Sequence, residues 1–245
     1  RRTDDAGGAT MTTTNDAPRL SAIVPTFNGA RFLEETLRSI GSQTVPVDEI
    51  VVVDDGSTDD SLAIVAATCP EARIVAGHER EGAARARARG VVASTGHWLA
   101  FCDHDDLWPV GRTAALLAAT DEAHWVCGRV RLLADDDTVL SDRLLAADLT
   151  HIPYLLSSAL VRRSVWEQTG GIDARWTVGE DVDLYLRFRE TGGRATLIDD
   201  ITLDHRMHGG SLMSARSSSA AGETFDVIRA AAQRRRRAQA SPDAT

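Results

Sequence analysis

The sequence predicts an α/β fold with a doubly wound, mostly parallel sheet, and three observations carry that expectation. Apolar runs of strand length alternate with segments of helical period over residues 19–102. One of those runs, EIVVVDD, holds four consecutive apolar residues, mostly β-branched, as suits a strand covered on both faces. Three short polar segments, TFNG, DDGS and DHDD, fall at the ends of predicted strands. Open sheets of this kind bind ligands outside the carboxyl ends of their strands, so the three segments are expected to converge on one crevice.

Each element follows from local signals. RLSAIVP reads as a buried strand, TFNG as a turn, and Ala30 to Ser42 as a helix with Phe32, Leu33, Leu37 and Ile40 on one face. EIVVVDD is the second strand, and Ser57 and Thr58 are placed to cap a helix running to about Thr68. ARIVA forms a third strand, residues 83–94 a third helix and HWLAFC a fourth strand, an alternation that implies right-handed crossovers. The later half is less regular. HWVCGRVRLL reads as a strand entering a hairpin-like turn at ADDDT, and LLSSALVRR as a further strand. A short helix from Ser164 to Thr169 stops at Gly170–Gly171, and DVDLYLRFRET is an amphipathic helix closed by Gly192–Gly193. Residues 1–18 are expected to form a disordered leader, with Met11 a natural start. Residues 214–245 are expected to form a flexible or helical tail, with Phe225, Ile228 and Ala232 on one side of a helix and four arginines at 234–237.

Composition narrows the chemistry. The net charge of −9 over 245 residues argues against nucleic-acid binding through a broadly basic surface. All 27 basic residues are arginines, which excludes a lysine-bearing phosphate loop and a Schiff-base lysine. Cys69, Cys102 and Cys127 form neither a zinc pattern nor a disulfide framework, which points to a reducing compartment. No apolar run approaches the roughly 18 residues of a membrane span and no signal-peptide core is present, so a cytoplasmic protein is expected. Contact of the arginine cluster with an anionic membrane would be weak, at about 1 kcal/mol or less per basic residue.

Three acidic segments carry the functional reading. In DHDD, Asp103 and Asp105 are spaced so that both can serve one hard divalent cation, whose other ligands would be a diphosphate and water. An acidic surface turn is the ordinary alternative, and Trp108 is expected to pack beneath the loop. In VVVDDGSTDDS, a carboxylate at a strand end can accept the imino hydrogen of uracil or thymine, although Asp54, Asp55 and Gly56 could equally form only a turn and a cap. In VGEDVDLYLRF, Glu180 and Asp181 start a helix whose dipole stabilises negative charge. A carboxylate held at the mouth of a cleft is what a general base for a hydroxyl nucleophile requires. Asp173 and Asp183 are read as structural.

Together, SAIVPTFNGARFLEETLRSIGSQ, EIVVVDDGSTDDS, GHWLAFCDHDDLW and GGIDARWTVGEDVDLYLR resemble the family 2 glycosyltransferases of the GT-A fold, in order and with fitting spacing over roughly residues 20–215. The resemblance implies an inverting enzyme that uses a nucleotide-sugar donor with Mg²⁺ or Mn²⁺. It implies one GT-A domain over residues 19–213, with a nucleotide-binding half at about 19–106 and a smaller, mixed, acceptor-binding half at about 107–213. By the same resemblance Pro25, Thr26 and Phe27 lie against the base, and Asp55 reads the uracil or thymine of a UDP- or dTDP-sugar. Asp103 lies near ribose and sugar and, with Asp105, at the metal; His208 completes the metal shell, and Arg206 approaches the phosphates. Asp181 is the implied general base toward an acceptor hydroxyl, with Glu180 beside it. Arg87 matches a donor-contacting arginine, but Arg80 and Ala88 stand where the family often has asparagine. Arg85, Arg87 and Arg89 also read as one arginine-rich helix face. Two other readings stay open at this level: a catalytically silent nucleotide-sugar-binding protein of the same fold, and a sugar-phosphate nucleotidyltransferase, which PTFNG and the absence of lysine disfavour.

Overall fold

Alternate residues of the first strand enter two separate cores, which is why its sequence shows no polar face. In the computed structural model, which describes residues 18–121, 123–135, 150–208 and 217–240, strand β1 is Leu20–Thr26. Leu20, Ala22 and Val24 pack with Leu33, Leu37 and Ile40 of helix α1 (Leu33–Gly41) and Val65 of α2 (Ser61–Thr68). Ile23 joins Val51 and Val53 of β2 (Glu49–Asp54) against Ala84, Ala86 and Val91 of α3 (Ala83–Ala93). Burial on both faces favours continuous Val and Ile over alternation.

The sheet order is β3-β2-β1-β4-β7-β5-β6, with β8 paired to β5. Strands β3 (Arg73–Ala76), β2, β1 and β4 (Trp98–Phe101) are parallel. Beyond them β7 (Ala159–Arg162) runs antiparallel to both β4 and β5 (Trp125–Ala134), and β6 (Thr150–His151) antiparallel to β5. The long strand β8 (Thr196–Met207) is parallel to β5 with irregular register. Helices α4 (Arg112–Leu117), α5 (Arg163–Thr169), α6 (Glu180–Glu190) and α7 (Ser217–Ala240) complete the chain. Arg112 of α4 ties the two parts together: it is buried, stacks 3.8 Å over the Trp108 ring, and donates to the carbonyls of Thr202, Ser157 and Ala159. Burial without a carboxylate partner pushes its guanidinium down to about 9.

Several elements differ from the sequence expectation for identifiable reasons. Helix α1 starts at Leu33, because Ala30–Phe32 remain in the turn, although Phe32 is still buried. Ser57 and Thr58 do not cap α2. Both are bound to Asn28 of the first loop, and Asp59 accepts the Ser61 N–H at 3.0 Å where α2 begins. The first part of LLSSALVRR is a 3₁₀ turn, Leu156–Ser158, so the strand there is short. Strand β8, not assigned from the sequence, carries Arg206 and ends just before His208; its half-exposed, mixed pattern lacks a clean period of two. The proposed leader lies outside the described residues apart from Pro18, as does most of the ADDDT turn.

The tail is helical over its described part and turned differently from the expectation. Val227 and Ala231 are buried, whereas Phe225 and Ile228 are 68% and 50% exposed. The arginine cluster is not wholly free either, since Arg234 pairs with Asp183 and Glu190. Among the described residues no helix is long and apolar enough to cross a membrane. All three cysteines are free and buried.

Close approach of α3 to the sheet depends on Gly90. A Cβ there would lie 2.4 Å from Ile23 Cγ2 and 3.0 Å from Val53 Cγ2. Alanine would gain about 1 kcal/mol of helix propensity, but overpacking a rigid core costs typically 1–3 kcal/mol. Gly90→Ala is therefore expected to lower the thermal midpoint; an unchanged or raised midpoint in a melting curve would contradict this packing.

Candidate active site

The three polar segments meet because the turn after β1 binds the other two. Asn28, at φ +49°, donates its N–H to Ser57 Oγ and accepts the Thr58 N–H through Oδ1 at 2.8 Å. The Gly29 and Ala30 N–H groups reach Ser61 Oγ and Asp59 Oδ2. On the other side, the Thr36 hydroxyl contacts the carbonyls of His104 and Asp106 at 2.9 and 2.8 Å, which fixes the DHDD loop on α1.

At the carboxyl end of β1, Pro25 and Thr26 stand opposite Val53 and Asp54. Thr26 is buried, and its hydroxyl has no partner among the described residues. The Phe27 ring carries the Arg80 guanidinium 4.4 Å from its centroid, so the arginine that replaces the expected asparagine stacks on the residue expected to face the base. Asp54 accepts the Ser57 N–H and so serves the turn. Asp55 is buried; its carboxylate accepts the N–H groups of Glu81 and Gly82, the latter at 2.7 Å, and Arg89 Nη2 at 3.1 Å.

Arg87 is the centre of the next cluster. Only 7% exposed, it donates to Asp103 Oδ1 at 2.6 Å and to Glu180 Oε1 at 2.5 Å. It thereby joins the DHDD loop to the first residue of α6, across a sequence gap that no local pattern spans. Burial alone would lower the Arg87 guanidinium, but the two carboxylates hold it above its ordinary value. Burial likewise raises Asp103, and Arg87 more than reverses this. Ser157 adds a hydroxyl to Asp103 at 3.3 Å. Asp181, half-buried beside this cluster, accepts the Val182 N–H. Its carboxyl is pushed up to about 7, first by burial and then by the charge of Glu180, with Arg87 opposing.

The remaining site residues stand on the far side of the DHDD loop. Asp105 Oδ2 lies 2.9 Å from His208 Nε2, and the His208 ring packs 4.9 Å from Phe32. Arg206 donates Nε to the Asp105 carbonyl and Nη2 to Glu35, and lies over the Phe32 ring at 4.5 Å. Beneath them Asp106, 1% exposed, accepts His205 Nδ1 at 2.9 Å and the Arg206 N–H at 3.0 Å. Burial lowers the His205 imidazole, but Asp106, with Asp103 and Asp105, raises it to about 9. Asp106 was not separable from its neighbours in the sequence, yet it is the anchor that brings Arg206 and His208 to the loop.

Among the described residues no three His, Cys, Asp or Glu side chains form a complete cation site. Asp105 and His208 do form a carboxylate–imidazole pair at 2.9 Å, with Asp103 in the same loop. A carboxylate oxygen suits Mg²⁺ and Mn²⁺, so Asp105, with His208 beside it, fits a divalent cation of this kind.

A parallel nucleotide-type sheet extended by antiparallel strands, with acidic loops at its carboxyl edge and an acid pair on a facing helix, is the architecture of a GT-A glycosyltransferase. A sequence model of glycosyl transferase family 2 matches residues 21–171, and the chain belongs to that family. A PGL/p-HBAD biosynthesis glycosyltransferase of Mycobacterium tuberculosis is 32% identical over 183 residues, covering 70% of each chain. A Bacillus subtilis relative, TuaG, is 28% identical over 226 residues, covering 88% of this chain and 89% of its own. Among solved structures, S. aureus TarS 1–349 in complex with UDP-GlcNAc superposes with a TM-score of 0.69 at 21% identity, over 87% of this chain and 65% of that one, a likeness of fold. The mannosyltransferase PcManGT of Pyrobaculum calidifontis, in complex with GDP-Man and Mn²⁺, gives 0.68 at 26% identity, over 86% and 64%. The chain thus spans a little under two thirds of each of these two structures. It is a family 2 glycosyltransferase.

Proposed function

We propose that this glycosyltransferase moves a sugar from a UDP- or dTDP-sugar to an acceptor hydroxyl with inversion at the anomeric carbon, using Asp181 as general base. The observation that carries the reading is the buried Arg87 bridge, which puts the donor-loop acid Asp103 and the acid pair at the start of α6 into one cluster. Asp181 takes the acceptor proton as the hydroxyl oxygen attacks the anomeric carbon. The bond from that carbon to the diphosphate oxygen breaks, and the nucleoside diphosphate leaves with the electron pair from the opposite face. A carboxyl raised to about 7 suits this task, since a base works best with a pKa near the operating pH.

Asp105, His208 and Asp103 would hold Mg²⁺ or Mn²⁺, which when bound offsets negative charge on the departing diphosphate. Arg206, fixed by Asp105, Glu35 and Phe32, approaches the phosphates from the same side. Arg87 holds the donor-side and acceptor-side acids in register, and Pro25, Thr26 and Phe27 line the base. Asp55 already accepts from three donors, the Glu81 N–H reaching both oxygens, so the imino hydrogen of a pyrimidine would take the place of one of them. The UDP-GlcNAc complex of TarS and the GDP-Man and Mn²⁺ complex of PcManGT support a nucleoside-diphosphate sugar and a divalent cation.

A panel of UDP-, dTDP- and GDP-sugars with Mn²⁺, scored for release of nucleoside diphosphate, tests the reading without a known acceptor. Hydrolysis of pyrimidine donors is expected. Turnover of GDP-sugars alone would overturn the role given to Asp55.

A further inference from the structure

We propose that helix α7 is a positioning brace for the Glu180–Asp181 pair, with Glu223 as its principal contact. The inference rests on the role given above to Asp181. The acid pair opens α6 directly after Gly179, which sits at φ +89°. Helix ends fray, and an acid in the first turn is only as well placed as the chain that enters it.

That entering turn is held by α7. The Glu223 carboxylate accepts the Thr177 N–H, the Thr177 hydroxyl at 2.8 Å and the Val178 N–H at 3.1 Å. One helical turn further, buried Val227 backs Gly179: a Cβ on that glycine would lie 3.5 Å from Val227 Cγ2 and 3.8 Å from Thr224 Oγ1. At the other end Arg234 reaches Asp183 at 3.1 Å and Glu190 at 2.9 and 3.2 Å, and Asp183, itself buried, also takes Arg187 at 2.8 Å.

Glu223, Val227, Ala231 and Arg234 follow one another at helical spacing and form a single stripe of α7. Glu223 meets Thr177 and Val178, Val227 lies beside Gly179, and Arg234 meets Asp183 and Glu190, so the two helices run side by side in the same direction. Phe225 and Ile228 lie on a different side of α7 and are exposed. Among the described residues, Glu223, Val227 and Arg234 meet Thr177, Val178, Gly179, Asp183 and Glu190, so the brace acts on the helix of the acid pair and not on the nucleotide side.

The test uses the full chain and three measurements: kcat for the nucleotide sugar hydrolysed fastest in the panel, Kd for UDP with Mn²⁺, and the thermal midpoint. A misplacement of about 1 Å can cost on the order of 100-fold in rate, so Glu223→Ala is expected to lower kcat at least tenfold. UDP affinity should stay within about twofold, because no nucleotide-side group has moved. Glu223→Gln, which keeps one acceptor oxygen for the Thr177 and Val178 N–H groups, should recover part of the loss. Phe225→Ser, on the outward stripe, should match wild type. If Glu223→Ala does not fold, Arg234→Gln carries the same test from the far end of the stripe. A kcat within about twofold of wild type, or a loss of UDP affinity equal to the loss of kcat, would overturn the brace. Wild-type turnover by Asp181→Asn would instead remove the base assignment on which the brace rests, whatever Glu223→Ala does.

Discussion

Asp181→Asn is expected to lower the rate of sugar transfer by about 100-fold or more while leaving UDP affinity close to wild type. Asparagine keeps the size of the side chain and its bond to the Val182 N–H, but it cannot take a proton from the acceptor. The wild-type rate should fall as pH drops below about 7, because the carboxyl must be ionised to act as base. The asparagine variant should lack that acidic limb.

Stability should move the opposite way. The Asp181 carboxyl is raised in the folded chain from its ordinary 3.8 to about 7, so between those values the folded state binds the proton more tightly than the unfolded state does. Its contribution is therefore lost as pH rises through 7, and an ionised Asp181 costs stability at pH 8. The variant should melt higher than wild type at pH 8, and this advantage should vanish below about pH 4. An active variant would transfer the role to Glu180, although Arg87 already binds that carboxylate.

Asp105→Ala is expected to abolish Mn²⁺-dependent binding of UDP with little change in the thermal midpoint. The Asp105 side chain contacts His208, and its carbonyl, which alanine retains, receives Arg206. The hydrogen bond lost is worth about 1 kcal/mol, whereas removing a charged oxygen ligand from a hard-cation site weakens the metal far more. An unchanged UDP titration with Mn²⁺ would reduce the DHDD segment to a surface turn. The adjacent Asp106 is a different kind of residue: it lies buried under His205 and the Arg206 N–H and belongs to the scaffold.

The sequence by itself determined the strand–helix alternation of residues 19–102, the place of the polar loops at strand ends, and the two acid pairs. These signals are local. A parallel strand buried on both faces reads as IVVV wherever it sits, and Leu33, Leu37 and Ile40 mark one helix face without reference to any partner. The tertiary structure alone decided which acid of DHDD anchors and which faces outward, because Asp106 is selected by His205 and Arg206, about a hundred positions away. It alone showed that Ser57 and Thr58 serve Asn28 and not α2, and that Arg87 spans Asp103 and Glu180. In α7, apolar residues occur on more than one side, so periodicity could not choose between Phe225 with Ile228 and Val227 with Ala231. The choice was made by Glu223 and Arg234, whose partners on the Thr177 turn and α6 lie 44 to 51 residues earlier. Local periodicity registers which residues avoid water, but not which distant charge or backbone N–H a buried polar group will meet.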